Sequence, residues 1–254
     1  MHDRPTRALV AEAIGTFALC FVGILDINGG AVAGVQSAAS LATVALAHGL
    51  AIAVMVAALG AISGGHFNPA VTLGFVVTRR MTPAQGLAYW GAQIGGALLA
   101  SLLVAGLFDG DVTGAGTPNL GPDISFAGGI VVEAVATFFL VLVVFGTAVD
   151  GRAPKSAFPF AIGLTVALNI MAVGPITGGA MNPARVLGPA LATQFYGSLR
   201  AIDPWANHLV YWIGPLLGAA LAALLMHHVL MERAPSPAVA EHGGPAPSEE
   251  RGNP

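Results

Sequence analysis

Two asparagines carry the chemistry this chain most plainly offers. Asn68-Pro69-Ala70 and Asn182-Pro183-Ala184 repeat one tripeptide, each after a glycine pair: Ser63-Gly64-Gly65-His66-Phe67 before the first, Thr177-Gly178-Gly179-Ala180-Met181 before the second. Asn is a strong N-cap and Pro suits the first helical position, so each tripeptide reads as a helix start. The Asn oxygen would cap its own helix and leave the amide NH2, an uncharged donor, to point into a pore. Residues 68–77 and 182–191 predict helices of about 15 Å, half the thickness of a hydrocarbon core. Two such pieces entering a bilayer from opposite faces would meet start to start at its midplane. Each start carries roughly +0.5 elementary charge, so the meeting point repels cations. The amides would turn the oxygen of a passing water towards them and its hydrogens towards the exits, which breaks any proton wire of one polarity. The carbonyls of Gly64, Gly65, His66, Phe67, Gly178, Ala180 and Met181 lie in non-helical approaches. They need partners at membrane depth, and a file of water supplies them.

Three more residues have the wrong polarity for a bilayer and so invite a role. Arg185 lies one turn into the second half-helix, and a charge at such depth marks a pathway. Glu12 and Glu133 sit in apolar runs. As a matched pair they are read as supports that accept backbone N–H bonds from the two loops, rather than as proton carriers.

The elements that must position these residues follow from composition. The chain has 254 residues, 55% hydrophobic and only 9% charged, where a soluble domain carries about 25% charge. Six runs, near 8–28, 38–60, 84–107, 126–149, 157–174 and 205–230, are long enough to span a bilayer. The first is followed by five others and carries Glu12, so it reads as a retained helix rather than a signal peptide. The fold class is therefore an all-α membrane protein with six transmembrane helices and two re-entrant half-helices. Cys20 is the only cysteine, which excludes an internal disulfide, and reads as a small core hydrophobe. A net charge of -3 offers no basic field for nucleic acid. An even span count puts both termini on one side, with Arg4, Arg7, Arg79, Arg80, Arg152, Lys155, Arg233 and Arg251; the other side holds Arg185 and Arg200. The positive-inside rule makes both termini cytoplasmic, in a plasma or inner membrane. Residues 231–254, rich in Pro, Gly, Ser and Glu, read as a disordered cytoplasmic tail.

Residues 1–230 read as one channel domain built as an inverted repeat, about 8–107 and 126–230. Glu12-Ala13-Ile14-Gly15-Thr16-Phe17 matches Glu133-Ala134-Val135-Ala136-Thr137-Phe138, and Tyr89-Trp90 matches Tyr211-Trp212. Ala47-His48-Gly49-Leu50 matches Ala161-Ile162-Gly163-Leu164 at the same 114-residue offset as the two tripeptides. Three spans per repeat invert the second copy. Gly91 with Gly95, and Gly214 with Gly218, read as close-packing pairs between helices.

At these residues the chain resembles the aquaporins, the major intrinsic proteins, over about residues 8–230. The resemblance implies a homotetramer with one pore per subunit and no cofactor or bound metal. In aquaporins the facing half-helices are the understood barrier to protons. It also implies an outer filter of four positions, which spacing from the asparagines puts at His48, Ile170, Gly179 and Arg185. Strict water channels commonly carry Phe, His and Cys at the first three. His with Ile and Gly is instead similar to the plant vacuolar-membrane intrinsic proteins, with His48 expected to present a donor from the wall opposite Ile170. Val186 after Arg185, Ala190 and the Tyr211-Trp212 pair fit water channels better than glycerol facilitators. The expected function is passive passage of water without protons or ions, with ammonia or other small neutral solutes next. A polyol or ammonia facilitator is the neighbouring reading. A proton-coupled transporter is disfavoured by the lack of ionisable groups facing each other across a cavity. An enzyme is excluded by the lack of a nucleophile–base pair or metal-spaced cluster in the pore segments.

Overall fold

The computed structural model describes residues 4–28, 40–108, 116–196 and 203–231. In chain order the helices are α1 (Arg4–Ile27), α2 (Leu41–Ser63), α3 (Pro69–Val77), α4 (Pro83–Phe108), α5 (Phe126–Val144), α6 (Phe158–Thr177), α7 (Pro183–Tyr196) and α8 (Val210–Leu225). Six of them, α1, α2, α4, α5, α6 and α8, are long and apolar enough to cross a membrane. The described residues contain no strand. The lipid replaces water as the outer solvent, so Leu87, Phe139, Leu168 and Leu221 are exposed on the bundle surface.

Local signals set the ends. Ser40 and Ser125 cap α2 and α5 through their hydroxyls. Gly64 and Gly178, both in the left-handed region, end α2 and α6 and turn the chain into the two loops. α5 and α8 each finish in one π-helical turn, Phe145–Val149 and Met226–Leu230. Arg152 joins these two ends: it pairs with Asp150 and donates to the Leu230 carbonyl at 3.0 Å. Its hydrogen bonds hold the Asp150 carboxyl below the usual range, at about 2.

Packing follows a two-fold pattern. α1 lies along α4, α5 along α8, and α2 crosses α6. The first half-helix, α3, packs on α8, and the second, α7, packs on α4. Glycines make these approaches possible. A Cβ on Gly49 would meet the Gly163 carbonyl and a Cβ on Gly163 the Gly49 carbonyl, so the α2–α6 crossing is backbone on backbone. Gly96 sits against the Ala13 carbonyl and Gly218 against that of Ala134 in the same way.

Two expectations change. Gly91 and Gly95 do not pack against the described residues: none of their atoms lies within 4 Å of a Cβ on either. The close-packing glycine of α4 is Gly96, because the helix turns that face, not the 91/95 face, towards α1. The second half-helix runs to Tyr196, beyond the expected 191, while α3 stops at Val77. Thr78 ends α3 by returning its hydroxyl to the Gly74 carbonyl, and Arg79 then takes a left-handed conformation. The terminal segment from 232 onward, with Arg233 and Arg251, lies outside the described residues, as does Arg200.

Candidate pore and selectivity filter

Each glycine-rich loop is held by one buried carboxylate. Glu12 Oε1 accepts from Ser63 Oγ (2.7 Å) and His66 N (3.0 Å), and Oε2 from Phe67 N (2.6 Å) and Gln93 Nε2 (2.8 Å). Glu133 repeats the pattern with Thr177 Oγ1 (2.6 Å), Ala180 N (2.9 Å) and Met181 N (2.7 Å). The loops need such support. Phe67 and Met181 have φ of 48° and 50°, a region that disfavours residues with a Cβ. Charge-assisted bonds from the two carboxylates to those same N–H groups offset the strain. Neither Glu reaches the cavity wall. Tyr89 and Tyr211 donate to the Ser63 and Thr177 carbonyls, each at 2.8 Å, fastening the helix ends where the loops begin.

The asparagines meet as expected, with one difference. Oδ1 of Asn68 caps α3 through Ala70 N at 2.8 Å; Oδ1 of Asn182 accepts from Ala184 N at 3.1 Å and Arg185 N at 3.3 Å. Each amide is not wholly free, however. Asn68 Nδ2 donates to the Met181 carbonyl (2.8 Å) and Asn182 Nδ2 to the Phe67 carbonyl (2.9 Å), across the midplane. An amide nitrogen has two hydrogens, so one N–H per Asn remains for a solute. The expected row of carbonyls is correspondingly shorter. Gly65, His66, Gly179, Ala180 and Met181 line the cavity; Gly64 and Phe67 do not, and Gly178 lines the vestibule outside it. Phe67 is fully buried, and its carbonyl is occupied by Asn182. Pro69 is buried, its carbonyl accepting from Trp90 Nε1 at 3.0 Å. Ala70 and Ala184 are fully buried, where a longer side chain would have no room.

His48, Ile170, Gly179 and Arg185 all line the same cavity. The donor role expected of His48 does not hold. Its Nδ1 lies 2.8 Å from the Val44 carbonyl and its Nε2 3.2 Å from Arg185 Nη2. A carbonyl can only accept and a guanidinium can only donate, so Nδ1 carries the proton and Nε2 takes a hydrogen bond from Arg185. Both ring nitrogens are spent. His48 is a brace for Arg185, and the absence of a side chain at Gly23 makes room for its ring. Arg185 Nη1 donates to the Gly116 carbonyl at 2.6 Å, so the guanidinium is fixed from two sides with donors left over. Gly179 is left-handed (φ 61°), and a Cβ there would press on Ile170 at 3.2 Å.

The cavity, of about 30 Å3, has an apolar wall that continues Ile170 and that the motifs did not reveal: Leu19, Ile52, Val71, Leu140, Val144, Ile162 and Val166. A signal for it existed. Ile52 is one helical turn from His48, and Ile162 and Val166 lie two turns and one turn before Ile170. Gln93 and Thr72 were also missed. Thr72 Oγ1 donates to the Asn68 carbonyl and bonds Gln93 Nε2 (3.0 Å) and His66 Nδ1 (3.1 Å), tying the first loop to α4. No group of His, Cys, Asp and Glu suited to a metal ion occurs among the described residues.

Comparison with known proteins agrees with this geometry. A family described as "Major intrinsic protein" matches residues 2–226. "Aquaporin TIP4-4" from Zea mays is 42% identical over 233 residues, covering 89% of this chain and 87% of that protein. "Aquaporin TIP2-1" from Arabidopsis thaliana is 39% identical over 234 residues, covering 89% and 88%. The solved structure of an aquaglyceroporin from Plasmodium falciparum is similar with a TM-score of 0.75 and 26% identity, covering 89% of this chain and 97% of that one.

Proposed function

The chain belongs to the major intrinsic protein family, and on that footing we propose that it is a passive channel for water that excludes protons and ions, with ammonia or other small neutral solutes following the same path. It is a channel and not an enzyme. The reading rests above all on the reciprocal pair of bonds from Asn68 to the Met181 carbonyl and from Asn182 to the Phe67 carbonyl. These bonds hold two helix starts face to face and leave one amide N–H each for the water between them. Water passing that point accepts from the amides, while the positive helix ends oppose cations. Gly65, His66, Gly179 and Ala180 supply acceptors along one side, the Met181 carbonyl being taken by Asn68, and the apolar wall gives the file nothing to bind on the other.

Arg185, braced by His48 and Gly116, is the filter donor. Ile170 and Gly179 shape the space beside it. A polyol path is the second reading, because the similar solved structure is an aquaglyceroporin. A cavity of about 30 Å3 favours water and solutes of its size. The arrangement of basic residues supports cytoplasmic termini. Membership of the family supports assembly as a homotetramer, each subunit with its own pore.

Stopped-flow measurement on proteoliposomes tests the reading. Vesicles with the protein should swell faster than empty ones, with a low activation energy, and ammonia uptake should rise while glycerol uptake changes little. A water rate equal to that of empty vesicles would refute it. Glycerol passage equal to that of water would favour the polyol path.

A further inference from the structure

Gly23 lies on α1 against the ring of His48. A Cβ built on it would stand within 2.8 Å of Nε2, Cε1 and Cδ2 of that ring, closer than the roughly 3.5 Å at which non-bonded carbon atoms settle. A methyl group at position 23 and the ring cannot both keep their places. Their surroundings decide which one yields. Cys20 and Ile24, on either side of Gly23 in α1, are 2% and 1% exposed and pack with Ala97, Ala100 and Val104 of α4 and Ala184 of α7. Nearer the start of α1, the Ala13 carbonyl rests on Gly96. α1 therefore has no room to retreat. The ring has room on the side of the pore cavity, which it lines together with Ile170, Gly179 and Arg185.

The second repeat distributes the bulk the other way. Val144 stands as far after Glu133 as Gly23 stands after Glu12, and Ile162 matches His48. There the first position carries a side chain and the second carries no ring, and both Val144 and Ile162 line the cavity. We propose that Gly23 is a hidden fifth position of the filter. It does not line the cavity. By having no side chain it keeps the His48 ring back against α1, which sets the width beside Arg185 and leaves Nε2 in place to accept from the guanidinium. It is a positioning residue that acts through His48. This role rests on the pore reading proposed above and concerns the width of the path. A methyl group at 23 would drive the ring into a cavity of only about 30 Å3 and draw Nε2 away from Arg185.

A double-mutant cycle on the full chain tests it, with water flux per channel in proteoliposomes and the thermal unfolding temperature measured together. Gly23→Ala should lose most of its water permeability and unfold at a lower temperature. His48→Ala removes the ring that the methyl group strikes, so Gly23→Ala with His48→Ala should conduct and unfold like His48→Ala alone. That recovery separates positioning from a merely structural effect: a methyl group that wedged α1 away from α4 would stay harmful whatever stood at 48. Should Gly23→Ala fail to fold, the double variant should still be recovered as a monodisperse protein. Water flux through Gly23→Ala equal to that of the unaltered protein, or a double variant as impaired as Gly23→Ala, would overturn the proposal. If neither the unaltered chain nor any variant exceeds empty vesicles, the water reading has failed instead. The unfolding temperatures alone then still decide whether Gly23 acts through His48.

Discussion

His48 lines the cavity but spends its hydrogen bonds on the Val44 carbonyl and on holding Arg185. A buried guanidinium is useful in a filter only if its orientation is fixed, and here two acceptors fix it: the imidazole Nε2 and the Gly116 carbonyl. Removing one acceptor leaves a buried N–H without a partner, which costs about 1–3 kcal/mol. His48→Ala should therefore lower the thermal unfolding temperature. It should also raise glycerol permeability relative to water, because a side chain leaves the constriction and Arg185 loses a restraint. If both quantities stay at their original values, His48 is not the brace. The same reasoning separates Glu12 and Glu133 from proton carriers. Their oxygens are occupied by loop N–H and hydroxyl donors, and neither lines the cavity.

Helices and loops share a second kind of dependence, on residues without side chains. At Gly49 and Gly163 the α2 and α6 backbones touch, so Gly163→Leu must force them apart and should abolish recovery of a monodisperse protein in size-exclusion chromatography. Gly91 has free space around it and a helical backbone. Gly91→Ala should be neutral or stabilising by about 0.4–1 kcal/mol in thermal unfolding. A marked loss of stability there would mean that another subunit packs on that face of α4. The half-helices depend on their capping asparagines to begin, but their lengths depend on the residues at their far ends. Thr78 and Arg79 end α3, whereas α7 continues past the matching position because no comparable stop occurs before Tyr196.

At the scale of the molecule, the pairings α1 with α4, α5 with α8, and α2 with α6 surround two loops that meet at one point. If four such bundles assemble, each with its own pore, conduction should be additive. Mixed tetramers of unaltered and pore-blocked Asn182→Trp subunits should lose water permeability in proportion to the blocked fraction; a steeper loss would point to coupled subunits. The six spans, the two helix starts and the matched glutamates were legible in the sequence, from apolar length, Asn-Pro caps and the internal repeat. The four filter positions came only with the resemblance to the aquaporins. Other features depend on residues distant in the chain. Asn68 and Met181 are 113 positions apart, and His48 and Arg185 are 137 apart. Whether an amide hydrogen is free, whether a histidine donates or accepts, and which glycine face packs are settled by the partner that folding brings across the pore. The sequence by itself determined that two helix starts would face each other in a membrane and which residues would stand near them. Only the tertiary structure decided how many of their donors remain for water, because a hydrogen bond already made within the protein is no longer available to the solute.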